Sequence, residues 1–476
     1  MADEKQFVKD IADINTDFTQ WYTDVIKKTE LVDYGPVKGT MVIRPYGYAI
    51  WENIQAELNK RFKAQGVKNA YFPMFIPMSY LKREAEHVEG FAPEVAVVTY
   101  AGGSELAEPL VVRPTSETII CEMYSKWLKS YRDLPICINQ WANVVRWEKT
   151  TRPFLRTSEF LWQEGHTVHA TQEEAEEMTK RMLGVYKEFA ENAMAMPVLT
   201  GRKTEKEKFA GAVATYGMEA MMIDGKSLQA GTSHFLGQNF AKSFNMKFLD
   251  KDSTLKYGWS SSWGVSTRLI GALIMAHGDQ RGLVLPPVLA PIQVIVIPVA
   301  KHKEGVVEKA TEICNELVKL GIRAEMDNRD MSPGWKFNEW EMKGVPVRIE
   351  VGPRDMEKGV YVLSRRDTLE KQEHALGDYA FITSLLDEIQ KNMLEKSREN
   401  MNKRITYADS VDGILQAVEN KMFVKAPWCG CRECEDAIKE KTAASARVIA
   451  EDSAEGKTCA VCGKKAEKIV YFARAY

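Results

Sequence analysis

From residue 50 to residue 62 apolar positions recur every three or four residues, which predicts an amphipathic helix stopping near Gly66. The first thirty residues carry similar helical spacing, with acidic and basic residues mixed among the apolar ones. Runs that cluster or alternate apolar residues follow at 71–77, 109–113 and 136–147, and these predict strands, with a helix over 117–131 between the last two. A helix rich in Glu, Met and Lys is predicted over 172–192, extended pieces over 235–240 and 258–264, and a further helix opening near Thr267. Strands in sequence-distant blocks with helices between them predict an α+β domain around an antiparallel sheet.

Three prolines, Pro286, Pro287 and Pro291, then mark a stiff linker and a boundary. Beyond it the pattern changes: a buried strand over 293–300, a helix over 305–320 that stops at Gly321, a strand over 322–326, a helix over 335–343, and strands over 345–351 and 360–363. This alternation predicts a compact α/β module of about one hundred residues. A charged helix over 378–404 leads into a final segment. The expected domains are therefore 1–286, 287–378 and 379–476.

The densest chemistry lies between residues 146 and 169. Residues two apart on a strand share a face, so Arg146 would sit beside Glu148, a guanidinium fork for phosphate next to a carboxylate that can accept from a purine amine. After a polar loop ending at Arg156, Phe160, Trp162, Glu164 and His166 alternate with Leu161, Gln163 and Gly165. A second strand there would present an aromatic platform, a carboxylate and an imidazole on one face. An isolated Arg-x-Glu is ordinarily a cross-strand ion pair. The length and order of this run point instead to a nucleoside triphosphate site on an antiparallel sheet.

Three other stretches carry candidate chemistry. Pro114, Thr115, Ser116 and Glu117 precede an apolar helical run and read as a capped helix start, or as a pocket in which Thr115 and Glu117 bind an ammonium group. In the run 227–234, Gln229, Thr232 and His234 lie in a stretch that is either extended, with Thr232 and His234 on one face, or a polar loop. Arg268 opens a helix behind small residues; a cation opposes the helix dipole there, which suits an anion site better than stability.

Composition narrows the setting. At 476 residues and 45% hydrophobic the chain exceeds what a single core holds. No apolar run reaches the roughly 18 residues that span a bilayer, and the start, Met1 to Lys5, lacks the apolar core of a secretion signal. A soluble, cytoplasmic protein without membrane partners is expected. A net charge of −2 makes no global case for nucleic acid. Of eight cysteines, Cys121, Cys137 and Cys314 are scattered, as in a reducing compartment. Cys429, Cys434, Cys459 and Cys462 form two spaced pairs in the tail, which predicts a closed, structural four-cysteine zinc site, with Cys431 as a substitute ligand.

Over essentially its whole length the chain resembles the prolyl-tRNA synthetases, in the archaeal and eukaryotic-type form also found in some bacteria. Pro73 falls where class II synthetases carry motif 1, associated with a homodimer interface; residues 146–163 look like motif 2, and residues 264–268 with the following helix look like motif 3. Residues 291–375 resemble the anticodon-binding domain of the subgroup, and the cysteine-bearing tail resembles its extra C-terminal zinc domain. The resemblance implies a ligase that activates L-proline with ATP and Mg2+ to prolyl-adenylate, then transfers proline to the 3′ end of tRNA(Pro). It implies Arg146 and Arg268 as the catalytic pair and ATP contacts from Arg146, Glu148, Arg156, Phe160, Gln229, Thr232 and Arg268. Proline would be held by Thr115, Glu117, Arg146, Trp162, Glu164, His166 and His234, and anticodon guanines by Glu341, Arg348, Arg354 and Asp355. Charge alone does not reveal that RNA surface, since residues 323–371 carry ten basic and ten acidic residues. The pocket must accept a small secondary amine, and apolar discrimination between small side chains is limited, so misactivation of alanine or cysteine is expected. The short interval between motifs 2 and 3 leaves no room for an editing insertion. The rivals are another class II synthetase of the subgroup, which should lack this pocket set, and an inactive tRNA-binding paralogue, which has no need of Arg146, Glu148 and Arg268 together.

Overall fold

The computed structural model describes residues 11–85 and 94–476. Residues 1–10, part of the first predicted helical stretch, lie outside the described residues; the helix Phe18–Lys28 follows within it. The helix expected over 50–62 is longer, Pro45–Ala64, because Pro45 at its first turn needs no amide partner and so starts it earlier.

The central sheet has seven strands in the order Lys68–Asn69, Ile136–Val145, Glu159–His169, Trp259–Ser266, Ser227–Gly237, Ala214–Met221 and Val198–Arg202. All neighbours are antiparallel except the short edge strand Lys68–Asn69, which runs parallel to Ile136–Val145. The long helices Pro45–Ala64 and Gln172–Asn192 pack with this sheet in one large apolar core, where Trp51, Phe62, Tyr186 and Trp263 are buried. Within it Gly165 faces Trp263 across the strand pair, and a Cβ there would fall 2.1 Å from the indole. Only glycine lets the two strands carry Glu164 and His166 over that ring.

The structure revises three further sequence readings and adds two strands that none of them anticipated. The piece expected over 235–240 is the end of a longer strand, Ser227–Gly237, after which Asn239–Ser243 is helical. The strands Val198–Arg202 and Ala214–Met221 gave no alternation to read, because the second is buried on both faces. The strand expected over 136–147 stops at Val145, so Arg146 and Glu148 stand in a turn in which the Glu148 amide donates to the Arg146 carbonyl at 2.8 Å. Residues 227–234 are strand, which removes the polar-loop alternative.

After the proline linker, a five-stranded sheet is ordered Ala324–Met326, Val294–Pro298, Val347–Val351, Val360–Arg365, Lys371–Ala375. Val294–Pro298 pairs in parallel with both neighbours, through the helices Val306–Lys319 and Pro333–Met342, as the α/β pattern predicts. The helix Phe381–Lys403 leads to a four-stranded sheet ordered Ile405–Tyr407, Phe423–Trp428, Lys468–Ala473, Ser445–Ile449. No helix among the described residues is long and apolar enough to cross a membrane.

Candidate active site

One face of the central sheet opens into a cavity of about 270 Å3. Its lining includes Thr115, Glu117, Arg146, Phe160, Trp162, Glu164, His166, Gln229, Thr232, His234 and Arg268. Phe160, Trp162, Glu164 and His166 reach it because the period of a strand puts alternate side chains on one face.

Arg146 is held before any ligand arrives. Its guanidinium lies 5.5 Å from the Phe160 ring centroid and 5.4 Å from that of Trp162, and its Nε donates to the Pro114 carbonyl at 2.9 Å. Burial holds its pKa below the ordinary value, opposed only in part by the charges of Glu117, Glu164 and Glu148. Arg268, the first residue of the helix Arg268–His277, donates from Nε to the Leu155 carbonyl at 3.2 Å and from Nη1 to the Gln229 carbonyl at 3.4 Å. Burial, then the neighbouring charges of Arg156 and Arg146, lower its pKa. A buried guanidinium set beside two further cations forms a site that a polyanion completes.

The same cavity is also lined by carboxylates and imidazoles. His166 Nε2 lies 2.9 Å from Glu164 Oε2, and Gln140 Nε2 donates to Glu164 Oε1 at 2.9 Å. Burial disfavours both charges, yet the mutual hydrogen bond and attraction outweigh it: the Glu164 carboxyl is held below its ordinary range and the His166 imidazole above. Thr115 Oγ1 donates to Glu117 Oε2, and Ser116, at the helix N-cap, makes no capping bond and instead accepts from Gln140 Nε2 at 3.1 Å. The polar groups of the helix start are thus turned toward the cavity rather than to the helix. His234 packs on Phe209 at 4.7 Å between ring centroids, and burial drives its pKa down to about 3, so it stays neutral. Among the described residues, Trp162 Nε1 and Ser262 Oγ are buried without a hydrogen-bond partner, as groups awaiting a ligand are.

Glu148 and Arg156 do not line this cavity. Their side chains pair with each other at 3.8 Å, with both charges acting on Arg268. Sequence reasoning missed Gln140, Phe209 and Thr215, whose Oγ1 is 3.0 Å from His234 Nδ1. Phe209 and Thr215 lie in and beside an irregular stretch with no periodicity. Gln140 alternates into a strand face and was legible only as part of the run 136–147.

In the tail, Sγ atoms of Cys429, Cys434, Cys459 and Cys462 lie within 4.8 Å of one another. Cys429 is 3.7 Å from both Cys434 and Cys462, close to the roughly 3.8 Å between thiolates of a tetrahedral zinc site with bonds of about 2.3 Å. Cys431, whose Sγ is 3.4 Å from that of Cys429, stands outside this group of four.

Of the four residues matched to anticodon reading, Glu341 and Arg348 line a second cavity of about 100 Å3. Arg348 stacks over Phe337 at 4.3 Å and pairs with Glu350 at 2.8 Å. Arg354 and Asp355 lie beyond the other end of the strand Val347–Val351, outside this cavity, and Asp355 Oδ2 accepts from the Gly352 amide at 2.8 Å.

Comparison with known proteins bears on all three units. Residues 99–277 match the tRNA synthetase class II core domain (G, H, P, S and T), residues 293–391 the anticodon binding domain, and residues 411–476 the prolyl-tRNA synthetase C-terminal domain. The chain is 61% identical to a proline–tRNA ligase of Alkaliphilus oremlandii and 57% identical to one of Acetoanaerobium sticklandii, each over 99% of both chains. A crystal structure of prolyl-tRNA synthetase from Cryptosporidium parvum, complexed with halofuginone and AMPPNP, superposes with a TM-score of 0.92 at 44% identity, covering 98% of this chain and 99% of that one. Full-length identity of this order joined to the cavity chemistry excludes the inactive and sister-enzyme readings: the chain belongs to the class II prolyl-tRNA synthetases, the ligases that join proline to tRNA.

Proposed function

We propose that the cavity divides into an ATP end around Arg146 and Arg268 and a proline end around Glu117, Glu164 and His234. The observation that carries this division is the set of neighbours each charge has within one cavity: Arg268 feels the cations Arg156 and Arg146, Glu164 is bound by His166 and Gln140, and Arg146, which feels both Glu117 and Glu164, stands between the two groups. ATP enters with its Mg2+ as substrate. Arg146 contacts both the α-phosphate and the proline carboxylate, Arg156 and Arg268 take the outer phosphates, Phe160 stacks on adenine, and Glu148 accepts from its amine. Gln229 and Thr232 offer oxygens to the magnesium, which keeps most of its own water. The secondary ammonium of proline donates to Thr115 and Glu117, with Trp162, Glu164, His166 and His234 enclosing the ring.

A proline carboxylate oxygen attacks the α-phosphorus in line, and the bond to the pyrophosphate oxygen breaks. Charge spreading over the α-phosphate is met by Arg146 and Arg268, already in place. A ribose hydroxyl at the 3′ end of tRNA then attacks the carbonyl and AMP leaves. No protein nucleophile takes part. The same family reading assigns Glu341, Arg348, Arg354 and Asp355 to the anticodon.

The four tail thiolates fit a structural zinc, with no coordination position left for chemistry. Exposed Tyr71 and Phe75, flanking Pro73, support a homodimer through that surface, and the free, scattered thiols support a cytoplasmic setting. The domain limits 1–286, 287–378 and 379–476 are proposed with them. Pyrophosphate exchange into ATP across a panel of amino acids, without tRNA, tests the cavity: proline-dependent exchange supports the division, and preference for another amino acid refutes it.

A further inference from the structure

Between the core match ending at residue 277 and the anticodon-domain match beginning at 293 lies a connection that neither covers, and Arg281 belongs to it. Its side chain nevertheless lines the cavity on the anticodon-binding unit, beside Glu341, Arg348 and Lys371. Arg281 Nη1 lies 2.8 Å from Glu341 Oε1. Its placement is keyed: the Arg281 amide donates to Asp279 Oδ1 at 2.8 Å, and the same carboxylate takes both terminal nitrogens of buried Arg366, at 2.8 and 2.6 Å. Arg366 Nε then donates to the Glu341 carbonyl at 2.8 Å, so one guanidinium registers Arg281 against Glu341 across the junction.

The pair uses one oxygen and one nitrogen. Among the described residues, Oε2 of Glu341 and Nη2 of Arg281 make no hydrogen bond. Together they present an acceptor next to a donor. The Watson–Crick edge of guanine presents the complement, N1–H and N2–H beside O6, whereas adenine offers an amine where guanine has O6.

We infer that Arg281 is a specificity-determining residue for tRNA, supplied by the connection after the catalytic core, which reads O6 of an anticodon guanine while Glu341 accepts from its N1 and N2. This rests on the anticodon reading of the cavity given above. Anticodon binding would thereby bridge the junction at the segment directly following the helix that begins with Arg268.

The test measures charging kcat/KM for wild type, Arg281→Ala, Arg281→Lys and Glu341→Gln, with tRNA carrying guanine or adenine at each anticodon position in turn, and thermal unfolding to certify the fold. Arg281 is half exposed, so its replacement leaves folding intact. Arg281→Ala is expected to lose roughly 10- to 100-fold in kcat/KM on guanine-bearing tRNA, and to flatten the penalty for adenine at one position only. Charging by Arg281→Ala within about twofold of wild type, while Glu341→Gln fails, overturns the inference alone, making Arg281 a surface partner of low worth. An equal loss on every tRNA also overturns it, as that marks a phosphate contact. Full charging by Glu341→Gln as well overturns the anticodon reading of the cavity itself.

Discussion

Arg447, on the C-terminal sheet, places its Nη2 2.9 Å from Oε2 of Glu219, which lies 228 residues earlier on the central sheet. Both are buried, and Lys203 Nζ reaches the other oxygen of Glu219 at 2.6 Å. Ser227 Oγ completes the shell at 2.7 Å, two residues from Gln229 in the active-site lining. Removing one partner leaves a buried charge without its complement, so Arg447→Ala is expected to lower stability by about 3–5 kcal/mol in urea unfolding. A loss under about 1 kcal/mol would show that water replaces the pair readily.

Arg146→Ala is expected to cut proline-dependent pyrophosphate exchange by at least about 10²- to 10³-fold, the cost of one preorganised donor at a developing charge. Far-ultraviolet circular dichroism should be unchanged. Near-normal exchange would refute the assigned role.

Acid should begin to destabilise the fold in the histidine range. Burial lowers the pKa of His169 and His277 from 6.5 to about 4 and that of His234 to about 3. The unfolded chain therefore binds more protons than the folded one below pH 6.5, and stability rises with pH across roughly pH 5 to 6.5, each histidine adding up to about 1.4 kcal/mol per pH unit. His166 is raised, so its contribution is fully present below 6.5 and is lost only as pH climbs through its folded pKa. His277→Gln should reduce the slope of unfolding midpoint against pH in that window; an unchanged slope would mean His277 takes a proton without unfolding.

Elemental analysis of purified protein should find a single zinc per chain, and Cys462→Ser should abolish it. Because cross-linking by a bound metal would hold the segment that carries Arg447, the variant is also expected to be cleaved sooner within 411–476 in limited proteolysis. Retained zinc in Cys462→Ser with loss in Cys431→Ser would reassign the fourth ligand.

Alanine and cysteine should support weak exchange, since a pocket for a small ring rejects smaller side chains by only a few kcal/mol. Residues 170–258, between motifs 2 and 3, carry the helix Gln172–Asn192, three strands of the central sheet, the short helix Asn239–Ser243 and a two-stranded hairpin of Lys247–Leu249 with Leu255–Tyr257. The chain by itself is accordingly expected not to deacylate alanyl-tRNA, and hydrolysis of that substrate in a purified assay would contradict it.

Whatever follows from local period was readable along the chain. The alternation Phe160, Trp162, Glu164, His166 predicted a shared face, and those side chains line one cavity. The helix over 172–192 and the two spaced cysteine pairs were legible for the same reason, since their partners lie a few bonds or one turn away. Where several distant segments must meet, sequence was silent. The loop that puts Phe209 against His234, the shell of Lys203, Glu219 and Arg447, and the clamp of Arg366 on Asp279 join residues far apart in the chain, and no spacing encodes them. Nor could it show that Glu148 turns out of the strand or that Ser116 forgoes its cap for Gln140, because a polar group takes whichever partner the folded chain leaves within about 3 Å, and burial makes that choice costly to reverse.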